Sequence, residues 1–370
     1  MGIRIERHTV DHAAAVRAFN ARLTAHDAVP GFLYDELPPP GPRNGAPIVK
    51  DSFLAVEDSE VRGGFALYGQ AFWIEGRRQR ASNYRAPISE GIFDRRYAYL
   101  GMLMVKAALR EDPLLFCVGM GGLAQPLPRL LAALDFKLHS VPFLFRIHRP
   151  ARVLRELPIL RATRRRALIA DLLARTGAAW LGVRLHARAT ALRALRWPAV
   201  TATSVTSWGP WADELWESAR ETCSLAAVRD AAALAVMYPL ADRRNVCLRL
   251  AHGGRDVGWT VLYDRAMRQS AHFGNLRVGT VLDCWARPGF AEPVARAATR
   301  ALEARGVDLM IVNHAHTAWV SAFRRVGYLV GPSNYGLALS PALAAAVRAA
   351  PDGEARMHVT RGDADGRVHL

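Results

Sequence analysis

One succession of hydrophobic periodicities runs twice along this 370-residue chain, and that repetition limits the folds open to it more than any other feature. Alternation at every second residue marks strands, and recurrence near every 3.6 residues marks helices. In the first half, residues 3–8 read as a strand and 11–24 as a helix. Strands follow at 52–56, 64–74 and 83–93, then a helix at 101–110, a strand at 114–118, a helix at 127–133 and a closing strand at 136–145. The second half repeats the order. It reads as a strand at 201–206, helices at 210–222 and 225–236, and strands at 245–250, 256–263 and 277–285. A helix at 292–304, a strand at 308–313, a helix at 318–326 and a strand at 335–339 close it. Each half is therefore expected to be α+β, a mixed and mostly antiparallel sheet flanked by helices. A Pro/Gly-rich stretch at 38–47 interrupts the first copy, and the polar tail beyond Pro341 is expected to fray.

Charge separates the copies. The chain carries 49 basic and 33 acidic residues, a net +16, and all but three of the basic residues are arginines. Residues 146–197 hold thirteen arginines against two acids, Glu156 and Asp171, so this connector alone carries +11. Leucines at 154, 157, 160, 168, 172 and 173 make it amphipathic. Basic amphipathic segments meet anionic membranes, nucleic acid or an acidic protein face, and a solvated helix pair is the plain alternative. Residues 167–185 have roughly spanning length, but Asp171, Arg175 and Arg184 argue for an interfacial or buried helix instead of a membrane span. Cys117, Cys223, Cys247 and Cys284 lie in or beside apolar runs without CxxC spacing, so buried thiols are expected, and no metal site. With no signal-peptide core at the start, the reading is cytoplasmic, with a peripheral membrane contact through 146–197 kept open.

The duplicated order resembles the GCN5-related N-acetyltransferase (GNAT) fold. In that family the fourth strand leads into a loop of the form Q/R-x-x-G-x-G/A that opens a helix. Here GIFD at 91–94 runs into RRYAYLGMLM, with Arg96, Tyr99 and Gly101 at the three motif positions and tyrosine replacing the middle glycine. PLPRLLAALDFK in the first half and HTAWVSAFRRVGY in the second are similar to the family's last helix and its exit into the closing strand. The second half lacks the loop motif, with ARPGFAEP in its place. The resemblance covers about residues 1–147 and 199–341. It implies domains at 1–147 and 199–345, a helical connector at 148–198 and a tail at 346–370.

What the resemblance implies is an acyl-CoA N-acyltransferase, acetyl-CoA being the expected co-substrate and a small amine, such as an amino sugar or a cell-surface or natural-product precursor, the acceptor. The pyrophosphate would sit on the helix start at Tyr99, Leu100, Gly101 and Met102, with Arg96 adding charge and Ile92 and Phe93 on the fourth strand beside the pantetheine arm. Glu90 is the candidate base and Tyr97 and Tyr99 are candidate acids, against plain readings as an arginine-paired glutamate and loop packing. In the second half Asp283 stands at the equivalent strand position, and His314 is a candidate proton relay. Asn313, His316 and Trp319 are candidate acceptor contacts, against ordinary strand-end roles. Trp208, Trp211 and Trp216 line a cleft or fill a core. Two other functions fit: a Fem-like transferase using aminoacyl-tRNA, its connector gripping RNA, and a tandem-GNAT scaffold without turnover.

Overall fold

The computed structural model describes residues 2–26, 33–34, 46–347 and 356–364. Most of the Pro/Gly-rich stretch and the last residues of the tail lie outside them. The first half contains β1 (Arg4–Arg7), α1 (Ala13–Ala25), β2 (Ile48–Glu57), β3 (Glu60–Ile74), β4 (Arg77–Ser89), α2 (Leu100–Glu111), β5 (Leu115–Gly119), α3 (Pro126–Ala132), β6 (Lys137–Ser140) and β7 (Phe143–Ile147). The connector forms α4 (Pro150–Glu156), α5 (Arg164–Thr176) and α6 (Ala178–Arg193). The second half begins with β8 (Thr201–Ser204), α7 (Pro210–Ala219), β9 (Leu225–Ala227), α8 (Ala231–Met237), β10 (Val246–His252), β11 (Arg255–Ala266) and β12 (Arg277–Ala286). It continues with α9 (Ala291–Ala304), β13 (Leu309–Asn313), α10 (Thr317–Val326), β14 (Leu329–Gly331), β15 (Gly336–Leu339), α11 (Pro341–Ala346) and β16 (Met357–His358).

Local chemistry accounts for the hairpins. Asp58 and Ser59 join β2 to β3, and Gly253 and Gly254 join β10 to β11, each pair with positive φ at both positions. Two consecutive positive φ values give the backbone twist that matches flanking strands. The connector breaks at Gly177, φ +72°, so the stretch at 167–185 is two helices and not one. No helix among the described residues is long and apolar enough to cross a membrane.

Two compact units result. Unit 1 comprises residues 1–140 and 336–348, and unit 2 residues 141–335 and 349–370. The sheet path of unit 1 runs β1-β2-β3-β4-β5-β15-β6, and that of unit 2 runs β14-β7-β13-β12-β11-β10-β8. Each unit thus holds one strand from the other half of the chain. The single strand expected at 136–145 is two strands in two sheets. Pro142 has no N–H to donate and stands at the break, while Val141 N–H donates to Tyr335 O at 2.9 Å.

In unit 1, Val16, Phe19 and Leu23 of α1 pack on Leu54, Val56 and Val61, while Met104, Val105 and Ala108 of α2 cover Phe65, Leu67 and Leu115 on the opposite face. In unit 2, Val294, Ala298 and Leu302 of α9 and Trp319, Phe323 and Val326 of α10 pack on Leu262, Val281 and Val312. All four cysteines are buried free thiols. The helix expected at 225–236 is shorter: Leu225–Ala227 is a strand, and Asp230 caps the helix by accepting from Ala233 N–H at 2.8 Å. The frayed tail is also corrected. Met357 and His358 pair with Leu225 and Ala226, and His358, Thr360 and Asp363 are buried.

Candidate functional site

In unit 1, β4 and β5 run parallel through only two pairs, Ser82↔Leu115 and Asn83↔Phe116, and then part. Among the described residues no strand takes β5's place along the rest of β4. A bulge opposite Phe65, with Ala86 at φ +45°, bends β4 where it leaves its neighbour. Tyr84 follows the last pair. Its side chain is fully buried, and its hydroxyl has no hydrogen-bond partner among the described residues. Burial drives that hydroxyl's pKa well up, so the group stays protonated. Sequence reading passed Tyr84 over, because nothing in one strand's alternation tells where its neighbour leaves it.

The strand ends at Ser89, so Glu90, Ile92 and Phe93 lie beyond it, in and after a 3-10 turn at Glu90–Ile92. Glu90 is 3% exposed, and both its oxygens are held. Arg22 Nε donates to Oε1 at 2.6 Å and Arg62 Nη1 to Oε2 at 3.2 Å. Glu90 is thus set between two guanidiniums. Arg62 also meets Glu60 at 2.6 Å, and Tyr97 donates to Glu57 Oε2 at 2.7 Å. Burial, then the hydrogen bond to Glu57, raises the Tyr97 hydroxyl above its ordinary value. Phe93 stacks on His26 at 4.2 Å between ring centroids.

Ile92, Arg96, Tyr99 and Met102 form an exposed rim around the start of α2, while Leu100 is buried beneath it. A Cβ at Gly101 would stand 3.0 Å from Leu130 Cδ2, which gives that glycine a packing reason. Asp94 Oδ1 accepts from Arg96 N–H at 3.0 Å, and its Oδ2 pairs with the Arg96 guanidinium at 2.6 Å. Arg96 is thus neutralised by its own loop. Arg95, also exposed, has no ion pair among the described residues and is the free cation at the helix start. A cleft of about 410 Å³ in the same unit, lined by Arg7, Asp51, Phe53, Arg80, Ser82 and Asp112, lies elsewhere. It reaches Glu111, the last residue of α2, while the loop precedes the first.

In unit 2 the five singled-out residues do converge. β12 and β13 run parallel for four pairs, ending at Val281↔Val312, and then part. The chain's own residues 357–363 lie in that gap. Ala315 N–H donates to Val359 O at 3.0 Å, and His314 bridges Thr360. On the β12 side, Asp283 Oδ1 accepts from His358 Nε2 at 3.2 Å, and its Oδ2 accepts from Arg229 Nε at 2.7 Å and from the Tyr238 hydroxyl at 2.8 Å. Arg229 Nη2 reaches Asp363 Oδ1 at 2.6 Å. Asn313 Oδ1 accepts from Arg361 Nε at 2.8 Å. His314 stacks on Trp319 at 5.6 Å and meets His358 edge-on at 4.6 Å.

Electrostatics follow from this burial. Burial alone would raise the Asp283 carboxyl, but Arg229 overrides it and holds it at about 2. Burial lowers His314 well below its ordinary value, with His358, His316 and Arg229 adding to it. Burial, then His358, brings His316 down to about 4. His314 Nε2 and His358 Nδ1 have no partner among the described residues. Sequence reading missed Arg229, Tyr238, His358 and Asp363, which come from three separated stretches of chain. Trp216 is core, tilted on Trp285 at 5.0 Å, while Trp208 and Trp211 stack at 5.5 Å. Among the described residues no group of three or more His, Cys, Asp or Glu side chains is arranged to hold a metal ion.

No protein-family model and no curated protein matches the sequence. Solved structures do match. A protein of Enterococcus faecalis V583, described as conserved, of unknown function and a probable N-acyltransferase, has a TM-score of 0.51 at 10% identity. That match covers 93% of this chain and 74% of the other. A tandem GNAT protein from the clavulanic acid biosynthesis pathway has a TM-score of 0.46 at 11% identity, covering 91% of this chain and 98% of its own. Saccharomyces cerevisiae N-myristoyltransferase with bound myristoyl-CoA has 0.47 at 8%, covering 91% and 82%. At such identities the likeness is one of fold alone: over 93% of its length the chain folds like the Enterococcus faecalis protein.

Proposed function

We propose that this chain carries the GNAT fold as two units and is an acyl-CoA-dependent N-acyltransferase, with unit 1 holding the acyl-CoA and a small amine as acceptor. The observation that carries the reading is the parting of β4 and β5 directly ahead of the exposed start of α2. Strand β4 past Asn83 offers peptide groups to a pantetheine arm, and the buried Tyr84 hydroxyl beside it is unsatisfied. The N–H groups at Leu100–Met102 and the unpaired Arg95 offer a pyrophosphate a helix dipole and a charge. Unit 2 lacks an equivalent opening because residues 357–363 occupy it.

In this reading a neutral amine attacks the thioester carbonyl, the C–N bond forms as the C–S bond breaks, and the proton shed by the amine leaves the thiolate as a thiol. Holding both reactants in one cleft supplies most of the gain. Glu90 becomes a positioning residue, since Arg22 and Arg62 already engage both its oxygens. Tyr97 ties the same loop to Glu57. Acetyl-CoA is the first co-substrate to try.

Calorimetric titration with acetyl-CoA and longer acyl-CoAs tests the reading. One site per chain is expected. Arg95→Glu should weaken binding by about tenfold, and Arg96→Glu by much less, since Asp94 already balances that charge. No binding of any acyl-CoA would refute the proposal.

A further inference from the structure

We propose that the outer face of α5 and α6 docks on an anionic membrane surface. Half of the large apolar side chains exposed among the described residues lie between positions 159 and 195. On α5, Leu168, Ile169, Leu172 and Leu173 form one stripe, with Leu168 70% and Leu172 62% exposed. On α6, Leu181, Leu185, Arg188 and Leu192 recur at helical spacing, and Trp180 lies beneath the Arg184 guanidinium at 4.3 Å. The other side of α6 is committed to unit 2: Thr190 is buried, and His186 Nε2 is 3.1 Å from Gly327 O. The outer stripe is therefore left over after the helix has packed.

The charge around this stripe has one sign. Arg164, Arg165 and Arg166 open α5, and they, Arg175 and Arg188 have no ion pair among the described residues. Asp171 is already paired with Arg161 at 2.7 Å, and Glu156 accepts from Asn275 at 3.0 Å. The face thus offers no free acid. The arginines at 146, 149 and 152 do not belong to it, because Arg146 pairs with Glu303 and Arg149 and Arg152 lie beside Asp308.

Leucines and a tryptophan interleaved with arginines match an anionic bilayer. The apolar stripe sinks to the acyl boundary while guanidiniums snorkel to phosphates. A second copy of this chain would bring an equally basic face against it, which repulsion disfavours. Nucleic acid would use the arginines and leave the leucines exposed.

Sedimentation of the full chain with vesicles of phosphatidylcholine, with and without phosphatidylglycerol, tests the proposal. Binding to the mixed vesicles should exceed binding to neutral ones by about tenfold or more and should fall as salt rises. Leu172→Glu with Leu185→Glu, and separately Arg164→Glu, Arg165→Glu and Arg166→Glu together, should each cut it about tenfold. An unchanged melting temperature would show that these exposed sites fold normally. Brominated acyl chains should quench tryptophan fluorescence, and Trp180→Phe should remove that quenching. Equal or absent binding to both vesicle types overturns the proposal. So does a solution dimer that Leu185→Glu dissociates, or RNA binding that Leu172→Glu leaves intact while vesicle binding is missing.

Discussion

Arg229 Nε donates to Asp283 Oδ2 at 2.7 Å, and both side chains are fully buried. The same guanidinium reaches Asp363 from its other edge and the Ala227 carbonyl at 3.1 Å. One cation therefore joins β12, the stretch after β9 and the C-terminal turn inside unit 2. Burial works against the charged guanidinium, yet Asp283 and Asp363 outweigh it, and its pKa rises.

Removing that cation should be costly. Arg229→Met leaves two carboxylates buried without their partner, a situation that costs about 3–5 kcal/mol. Urea denaturation should show unit 2 losing stability of that order. A loss below about 1 kcal/mol would mean that water or a rearranged side chain compensates, and that the pair holds little.

Acid should unfold unit 2 in two stages. His316 has a folded value of about 4, below its ordinary 6.5, so the unfolded state binds more protons between these values. Its contribution is whole above pH 6.5 and is lost as pH falls toward 4, and His314 acts in the same direction. Asp283 takes over below: ordinarily near 3.8 and held at about 2, it gives stability that disappears as pH drops through that interval. Melting temperatures recorded from about pH 8 to about pH 2 should decline from near 6.5, and His316→Gln should flatten the first decline. A curve level down to about pH 4 would contradict the assignment.

Gly362 sits where no side chain fits. A Cβ there would stand 1.9 Å from the Tyr238 hydroxyl oxygen. Gly362→Ala should destabilise by about 1–3 kcal/mol, the usual cost of overpacking. Tyr238→Phe removes the clashing oxygen, so the double variant should be more stable than the two single losses sum to. Strict additivity in chemical denaturation would show that the contact is relieved some other way.

Much of the fold is legible in the amino-acid order. The alternation along β3 and β11 and the spacing of Val294, Ala298 and Leu302 on α9 come from local periods. The strand expected at 83–93 ends earlier, at Ser89, because the apolar pair Ile92-Phe93 reads as strand where the chain has already turned at Glu90. The candidate loop could be found from its position ahead of α2, but not its charge state. Arg95 and Arg96 are identical in sequence terms, and only the reach of Asp94 separates them.

By itself, then, the amino-acid order determined two α+β units, their helices and most of their strands, and a basic connector with an apolar stripe, because these depend on neighbours a few residues apart. Tertiary structure alone decided that β7 and β15 pair in the sheet of the other half and that the polar tail enters unit 2. It also decided that Asp283 meets Arg229, His358 and Tyr238. Those pairings join groups from 45 to 75 residues apart. Their free energy comes from removing charge and backbone from water together, which no local pattern records.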